Sequence, residues 1–188
     1  MTREDALDAV IAKQAISDVM QRYCRTLDWL DDAGQASCFW PDAAIDYGFF
    51  TGTAEEFLPV VMAIERASQR RWHMLSQVSI RLHSDRHAST ECYGMAAGVR
   101  APDAGAAPAS EQGEVGSGWS GNVYGGRYLD EFERRAHAGG DEWRISKRQY
   151  ILDWQIPLVN QPSGEPNPDF PLPMLQILES GHEKYRAI

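Results

Sequence analysis

The sequence predicts an α+β domain in which a curved antiparallel sheet, wrapped by N-terminal helices, encloses an apolar pocket. Three observations predict it. Apolar residues recur at helical spacing early in the chain and at alternating spacing later. The helical segments come first and the strand-like segments follow consecutively, an order that favours an antiparallel sheet over parallel β-α-β units. A strongly bent sheet with helices across its concave face leaves a cone-shaped cavity that is mostly apolar with a few convergent polar groups.

Residues 3–30 read as one long helix, because Ile16, Val19, Met20, Tyr23, Leu27 and Leu30 fall on a single stripe. Thr2 with Asp5 makes a variant of the capping box. Asp31 and Asp32 suit the start of a second, short helix, which Pro41 ends. Residues 44–48 read as a short strand. Thr53 caps a third helix with Phe57, Val60, Val61 and Ile64 on one face. The period then changes. Residues 72–82 alternate loosely and read as a strand, with turn residues at Ser84, Asp85 and Arg86 and a second strand over 87–97. Residues 98–120, rich in Ala, Gly, Pro, Ser and Glu, read as a long mobile loop. Strands over 122–135 and 143–154 flank a hairpin turn at 138–141. Six prolines between 157 and 173 predict a tail in extended form, followed by a short helix from Pro173 to about Glu179. The organisation expected is one domain over 1–156, with 157–188 as a proline-rich tail packed on it.

A chain of 188 residues fits one domain, and 43% hydrophobic residues suffice for a core. The formal charge of −9 repels nucleic acid and anionic lipid, so neither is expected as a partner. Cys24, Cys38 and Cys92 stand far apart in an odd number and read as small buried hydrophobes in a reducing compartment. The start of the chain lacks the basic and apolar regions of a signal peptide, and no apolar run is long enough for a bilayer. These features predict a cytoplasmic protein. No phosphate loop, nucleophile elbow or dinucleotide fingerprint is present, so no cofactor is expected.

Several segments together carry a resemblance. They are Met20-Gln-Arg-Tyr-Cys-Arg-Thr-Leu-Asp28, Phe39-Trp-Pro-Asp-Ala43, Gly52 before a helix, and the hairpin pairing Gly126-Arg-Tyr-Leu-Asp-Glu-Phe-Glu-Arg-Arg135 with Trp143-Arg-Ile-Ser-Lys-Arg148. In this order, over roughly residues 8–155, they resemble SnoaL-like domains of the NTF2-like superfamily. The resemblance implies a cone-shaped fold that hosts dehydratases, isomerases, cyclases, dehydrohalogenases and non-catalytic binding modules. Tyr23, Asp28 and His73 are similar to the sites of the scytalone dehydratase and bile acid 7α-dehydratase group, and Tyr47 is similar to a second tyrosine of the scytalone enzymes. The 98–120 loop and the proline-rich tail have no counterpart in that pattern.

The residues support a specific chemistry. His73 can take and return a proton near neutral pH, as elimination and isomerisation require; otherwise it is a polar residue on a half-exposed strand. Asp28 would orient the imidazole and stabilise its protonated form; otherwise it is a solvated acid at a helix end. Asp28 sits about 100° around the axis from Leu27, so it faces a cavity only if the helix ends or tilts there. Tyr23 lies on the buried stripe, and its hydroxyl needs a partner. It could donate to an oxygen that gains charge, or be a core tyrosine with its tip in water. Tyr47 has the same two readings. Trp72, Asp153 and Arg148 complete the expected substrate-binding set. Asp153 is a pocket acid if it points inward and a surface charge if not. Arg148 is an inward anion partner or an outward partner of Glu133. His83 and His87 with Asp85 between them could ligate zinc or iron, but they lie at a turn without an evident third ligand, so no metal is expected.

The function expected is a cofactor-independent lyase (dehydratase) or isomerase. It would use an Asp28–His73 pair on a small hydrophobic cyclic or carbonyl substrate, in a homodimer or homotrimer. The alternative is a non-catalytic ligand-binding protein or a small structural subunit of a ring-hydroxylating dioxygenase.

Overall fold

Helix α1 (Arg3–Asp28) opens on the expected cap: the Asp5 amide donates to Thr2 Oγ1 at 3.1 Å, and the Thr2 amide donates to the Asp5 carboxylate at 2.7 Å. In the computed structural model, which describes residues 2–102, 118–137, 139–161, 169 and 172–186, this helix stops at Asp28. Leu30 takes the left-handed conformation, φ 55°, uncommon for a residue other than glycine. Its side chain is fully buried. The apolar spacing that extends the helix to residue 30 therefore belongs to a turn that folds Leu30 into the core.

Asp31 caps α2 (Asp32–Ala36) by accepting from the Gly34 amide at 2.9 Å. Pro41 does not end this helix. It lies inside β1 (Phe39–Asp46), at an exposed position where the pairing with the neighbouring strand is interrupted between Phe39 and Ala44, the kind of place where a strand tolerates proline. A three-residue strand that the sequence reading misses, β2 (Thr51–Thr53), pairs antiparallel with the end of β1. Thr53 and Glu56 form a capping box at the start of α3 (Ala54–Ala67). Phe57 and Val61 of this helix are buried, whereas Val60 is exposed.

Four long strands follow: β3 (Arg70–Leu82), β4 (His87–Arg100), β5 (Trp119–His137) and β6 (Gly140–Gln161). The sheet order is β2-β1-β6-β5-β4-β3. It is not wholly antiparallel, because β1 pairs parallel with β6. That contact joins the first strand to the last and leaves no local trace in the sequence. The pairing of β3 with β4 shifts between Leu75 and Val78. The shift moves β3 by one residue, so His73 and Leu75 share the concave face with Val78, Ile80 and Leu82. This explains the loose alternation of the segment.

Parts of the expected 98–120 loop are strand: residues 98–100 end β4 and residues 119–120 begin β5. Residues 103–117 lie outside the described residues, as do 162–168 of the tail. Strand β6 runs through Pro157 to Gln161. No helix forms over residues 173–179. There Ile177 is buried and its carbonyl accepts from Arg71 Nη1 at 2.7 Å, so side chain and main chain both dock this segment. Further on, the Tyr185 hydroxyl donates to Asp31 and accepts from Arg25 Nη1 at 3.0 Å.

The core lies between the helices and the concave face of the sheet. Ile16, Met20, Tyr23 and Leu27 of α1 are buried there with Phe39, Cys92, Phe132 and Ile145 of the sheet. The three cysteines are free and buried. Among the described residues, no helix is long and apolar enough to cross a membrane.

Candidate active site

Because α1 ends at Asp28, the carboxylate projects from the helix terminus toward β3 rather than lying along the helix flank. Its Oδ1 sits 2.7 Å from His73 Nδ1, and its Oδ2 accepts the His73 backbone amide at 3.1 Å. One carboxylate thus grips both the ring and the main chain. A carboxylate at Nδ1 places the proton of the neutral imidazole on that nitrogen and leaves Nε2 as the acceptor.

Nε2 lies 3.6 Å from Oε1 of Glu65, in the last turn of α3, and Glu65 Oε2 lies 3.8 Å from Arg71 Nε. Burial opposes the charge on His73, but Glu65 and Asp28 outweigh it, so its pKa is raised above the ordinary 6.5. Burial also pushes the Glu65 carboxyl up, with His73 and Arg71 offsetting only part of the effect.

His73 and Glu65 border a cavity of about 250 Å³ whose apolar wall includes Leu27, Ile64 and Leu152. Five tyrosines line it: Tyr23, Tyr47, Tyr124, Tyr128 and Tyr150. The Tyr23 and Tyr47 hydroxyls are 2.8 Å apart. Burial holds the Tyr23 and Tyr128 phenols well above their ordinary pKa, raises Tyr47, and pushes Tyr150 up to about 12. All four therefore keep their protons at neutral pH. In the Tyr23–Tyr47 pair one hydroxyl donates to the other, so the second proton remains for an acceptor in the cavity.

Arg148 lies behind this wall and not on it. Its side chain is fully buried and grips Asp130 with two bonds, Nε to Oδ1 at 2.8 Å and Nη2 to Oδ2 at 2.6 Å. The guanidinium also stacks 4.1 Å from the Tyr23 ring and 4.3 Å from the Tyr128 ring. It faces inward, but its anion is Asp130 across the strand pair rather than a ligand or Glu133.

Trp72 and Asp153 do not line the cavity. Strand alternation sends Trp72 to the opposite face of the sheet from His73, where it is 51% exposed. Asp153 pairs with Arg127 at 2.9 Å on that outer face. An irregularity opposite Gly125 and Gly126 leaves Leu152 on the cavity wall and Asp153 off it.

Sequence reasoning missed Glu65 and three of the tyrosines. A signal existed for Glu65 and for two of the tyrosines. Glu65 follows Phe57 and Val61 at four-residue intervals, which places a carboxylate on an apolar stripe. Tyr124 and Tyr128 share one face of β5 by parity. Away from the cavity, beyond the far end of β3, ligand atoms of His83, His87 and Glu131 lie within 4.8 Å of one another. Glu131, on β5, thus adds a carboxylate that the local spacing of the His83–His87 turn does not offer, and its Oε2 lies 2.9 Å from His87 Nε2.

A family model described as a SnoaL-like domain matches residues 8–149. Among solved structures, the chain is similar to a hexachlorocyclohexane dehydrochlorinase, LinA type 2, with a TM-score of 0.68 and 17% identity over 86% of this chain and 98% of that one. It is similar to LinA-type3 from Novosphingobium barchaimii LL02, with a TM-score of 0.67 and 17% identity over 86% and 99% of the two chains. It is also similar to a scytalone dehydratase candidate from Novosphingobium aromaticivorans DSM 12444, with a TM-score of 0.63 and 17% identity over 86% and 99%. At these identities the likeness is one of fold. No curated protein matches the sequence.

Proposed function

The chain belongs to the SnoaL-like domain family, and on that premise we propose that it is a cofactor-independent lyase or isomerase acting on a small hydrophobic cyclic or carbonyl compound. The observation that carries this reading is the Asp28–His73 contact at 2.7 Å, with His73 on the cavity wall and its Nε2 beside Glu65.

Nε2 removes a proton from a carbon next to a carbonyl. Asp28 holds the ring in the tautomer that makes Nε2 basic and stabilises the imidazolium that forms. The spare proton of the Tyr23–Tyr47 pair is donated to the carbonyl oxygen as it gains charge. Loss of a group from the adjacent carbon completes an elimination, and return of the proton elsewhere completes an isomerisation. The apolar wall and the small volume suit one or two rings. The activities named for the neighbours, dehydrochlorination and dehydration, are both eliminations.

Asp28→Asn tests the reading. The substituted amide keeps the shape and an oxygen for the His73 main-chain amide, but no longer stabilises an imidazolium. Turnover of β-substituted ketones, followed by the absorbance of the enone product, is expected to fall about 10²–10⁴-fold in kcat with KM little changed. Undiminished turnover refutes the role given to Asp28.

A further inference from the structure

A base held by a carboxylate needs one acid beside it, and His73 has two. Asp28 is at Nδ1, and Glu65 faces the opposite nitrogen at 3.6 Å. Glu65 comes from a different element, α3, and its carboxyl forms part of the cavity wall next to the nitrogen that would receive a substrate proton. The charged groups around it are His73 and Arg71 from β3 and Asp28 from α1. Burial disfavours its ionised form and raises its pKa, with His73 and Arg71 offsetting part of the effect.

The two eliminations named for the neighbours differ in one requirement. Chloride leaves as a stable anion. Hydroxide does not, and a departing hydroxyl needs a proton as its C–O bond breaks. We propose that Glu65 is the general acid that protonates a departing hydroxyl, so that the substrate is a β-hydroxy carbonyl compound and the reaction is a dehydration. This rests on the role given above to His73.

The steps balance without a further reagent. In the working form Glu65 carries a proton and Nε2 carries a lone pair. Nε2 takes the proton from the carbon beside the carbonyl. The electron pair of that C–H bond becomes the new C=C bond as the C–O bond breaks. The Glu65 O–H proton goes to the leaving oxygen, and water departs. An imidazolium and a carboxylate then face each other across the 3.6 Å gap. The imidazolium passes its proton to Glu65, and the pair is reset. A structural Glu65, present only to neutralise Arg71, would have no reason to distinguish one leaving group from another.

The test compares 3-hydroxycyclohexanone and 3-chlorocyclohexanone, which give the same enone, 2-cyclohexenone. Rates are taken above that of buffer, with the wild-type protein, Glu65→Gln and His73→Ala. Glu65→Gln is expected to lose about 100-fold or more in kcat on the hydroxy ketone and at least about tenfold less than that on the chloro ketone. Equal losses on both ketones, or no loss on the hydroxy ketone, overturn the acid role. A wild-type protein that does not eliminate water from the hydroxy ketone overturns the substrate assignment. His73→Ala separates the two readings. If it keeps wild-type turnover of the chloro ketone, the base assignment fails, whatever Glu65→Gln does.

Discussion

His73→Ala is expected to lower kcat by about 10²–10⁴-fold, the range supplied by a positioned acid–base group, and to leave the fold intact. The side chain borders a cavity, so its truncation enlarges a space that already exists rather than opening a hole in a packed core. Asp28 is not orphaned, because its Oδ2 still accepts the amide of residue 73. A stability change of about 1 kcal/mol or less moves the melting temperature of a chain this size by roughly 2–4 °C. Activity and melting temperature measured on the same preparation check both halves. Wild-type turnover in the variant removes the base from the mechanism. Unfolding of the variant assigns His73 a structural role instead.

Arg148→Met has the opposite profile, a large loss of stability. Arg148 and Asp130 are both fully buried, and the pair is bidentate. Burial already pushes the Asp130 carboxyl up against the pull of Arg148. Removing the guanidinium leaves that carboxylate uncompensated in the core, which costs about 3–5 kcal/mol. The rings of Tyr23 and Tyr128 lose the cation between them as well. Urea denaturation measures the loss. The double variant Arg148→Met with Asp130→Leu should recover much of it, because a buried pair replaced as a unit by apolar side chains is often neutral. A double variant no more stable than the single one would show that the guanidinium stabilises through the tyrosines rather than through Asp130.

What the sequence made legible was local. The stripe on α1, the caps at Thr2 and Thr53, and the β5–β6 hairpin all follow from spacing and turn chemistry within a few residues. The parallel contact of β1 with β6 joins distant segments and has no such signal. The shift in β3 is a single extra residue, visible in sequence only as poor alternation. Pro41 resembles a helix stop because proline ends helices more often than it interrupts edge pairing. The expected helix at 173–179 yields to the docking of Ile177 and its carbonyl.

The site divides in the same way. Asp28 and His73 are 45 residues apart, and no spacing rule connects them. Resemblance named them with Tyr23 and Tyr47; in the fold His73 and the two tyrosines line one cavity, and Asp28 bonds to His73. Trp72 and Asp153 directly neighbour His73 and Leu152 in the chain, and a strand sends neighbours to opposite faces. Glu65 escaped because a carboxylate on a helix is read as solvated unless its stripe is counted.

The central claim is that Asp28 holds the proton of the neutral imidazole on Nδ1 and leaves Nε2 to work in the cavity. Nitrogen-15 and proton NMR of His73 across pH measures this directly. The account predicts an Nδ1–H tautomer above the titration midpoint, and a midpoint raised above the ordinary value of about 6.5. Turnover of the chloro ketone, which needs no acid, is then expected to rise as pH passes through that midpoint. The folding stability that the raised pKa contributes is full below about 6.5 and is lost over the same interval. A neutral ring protonated on Nε2, or a midpoint at or below about 6.5, would contradict it.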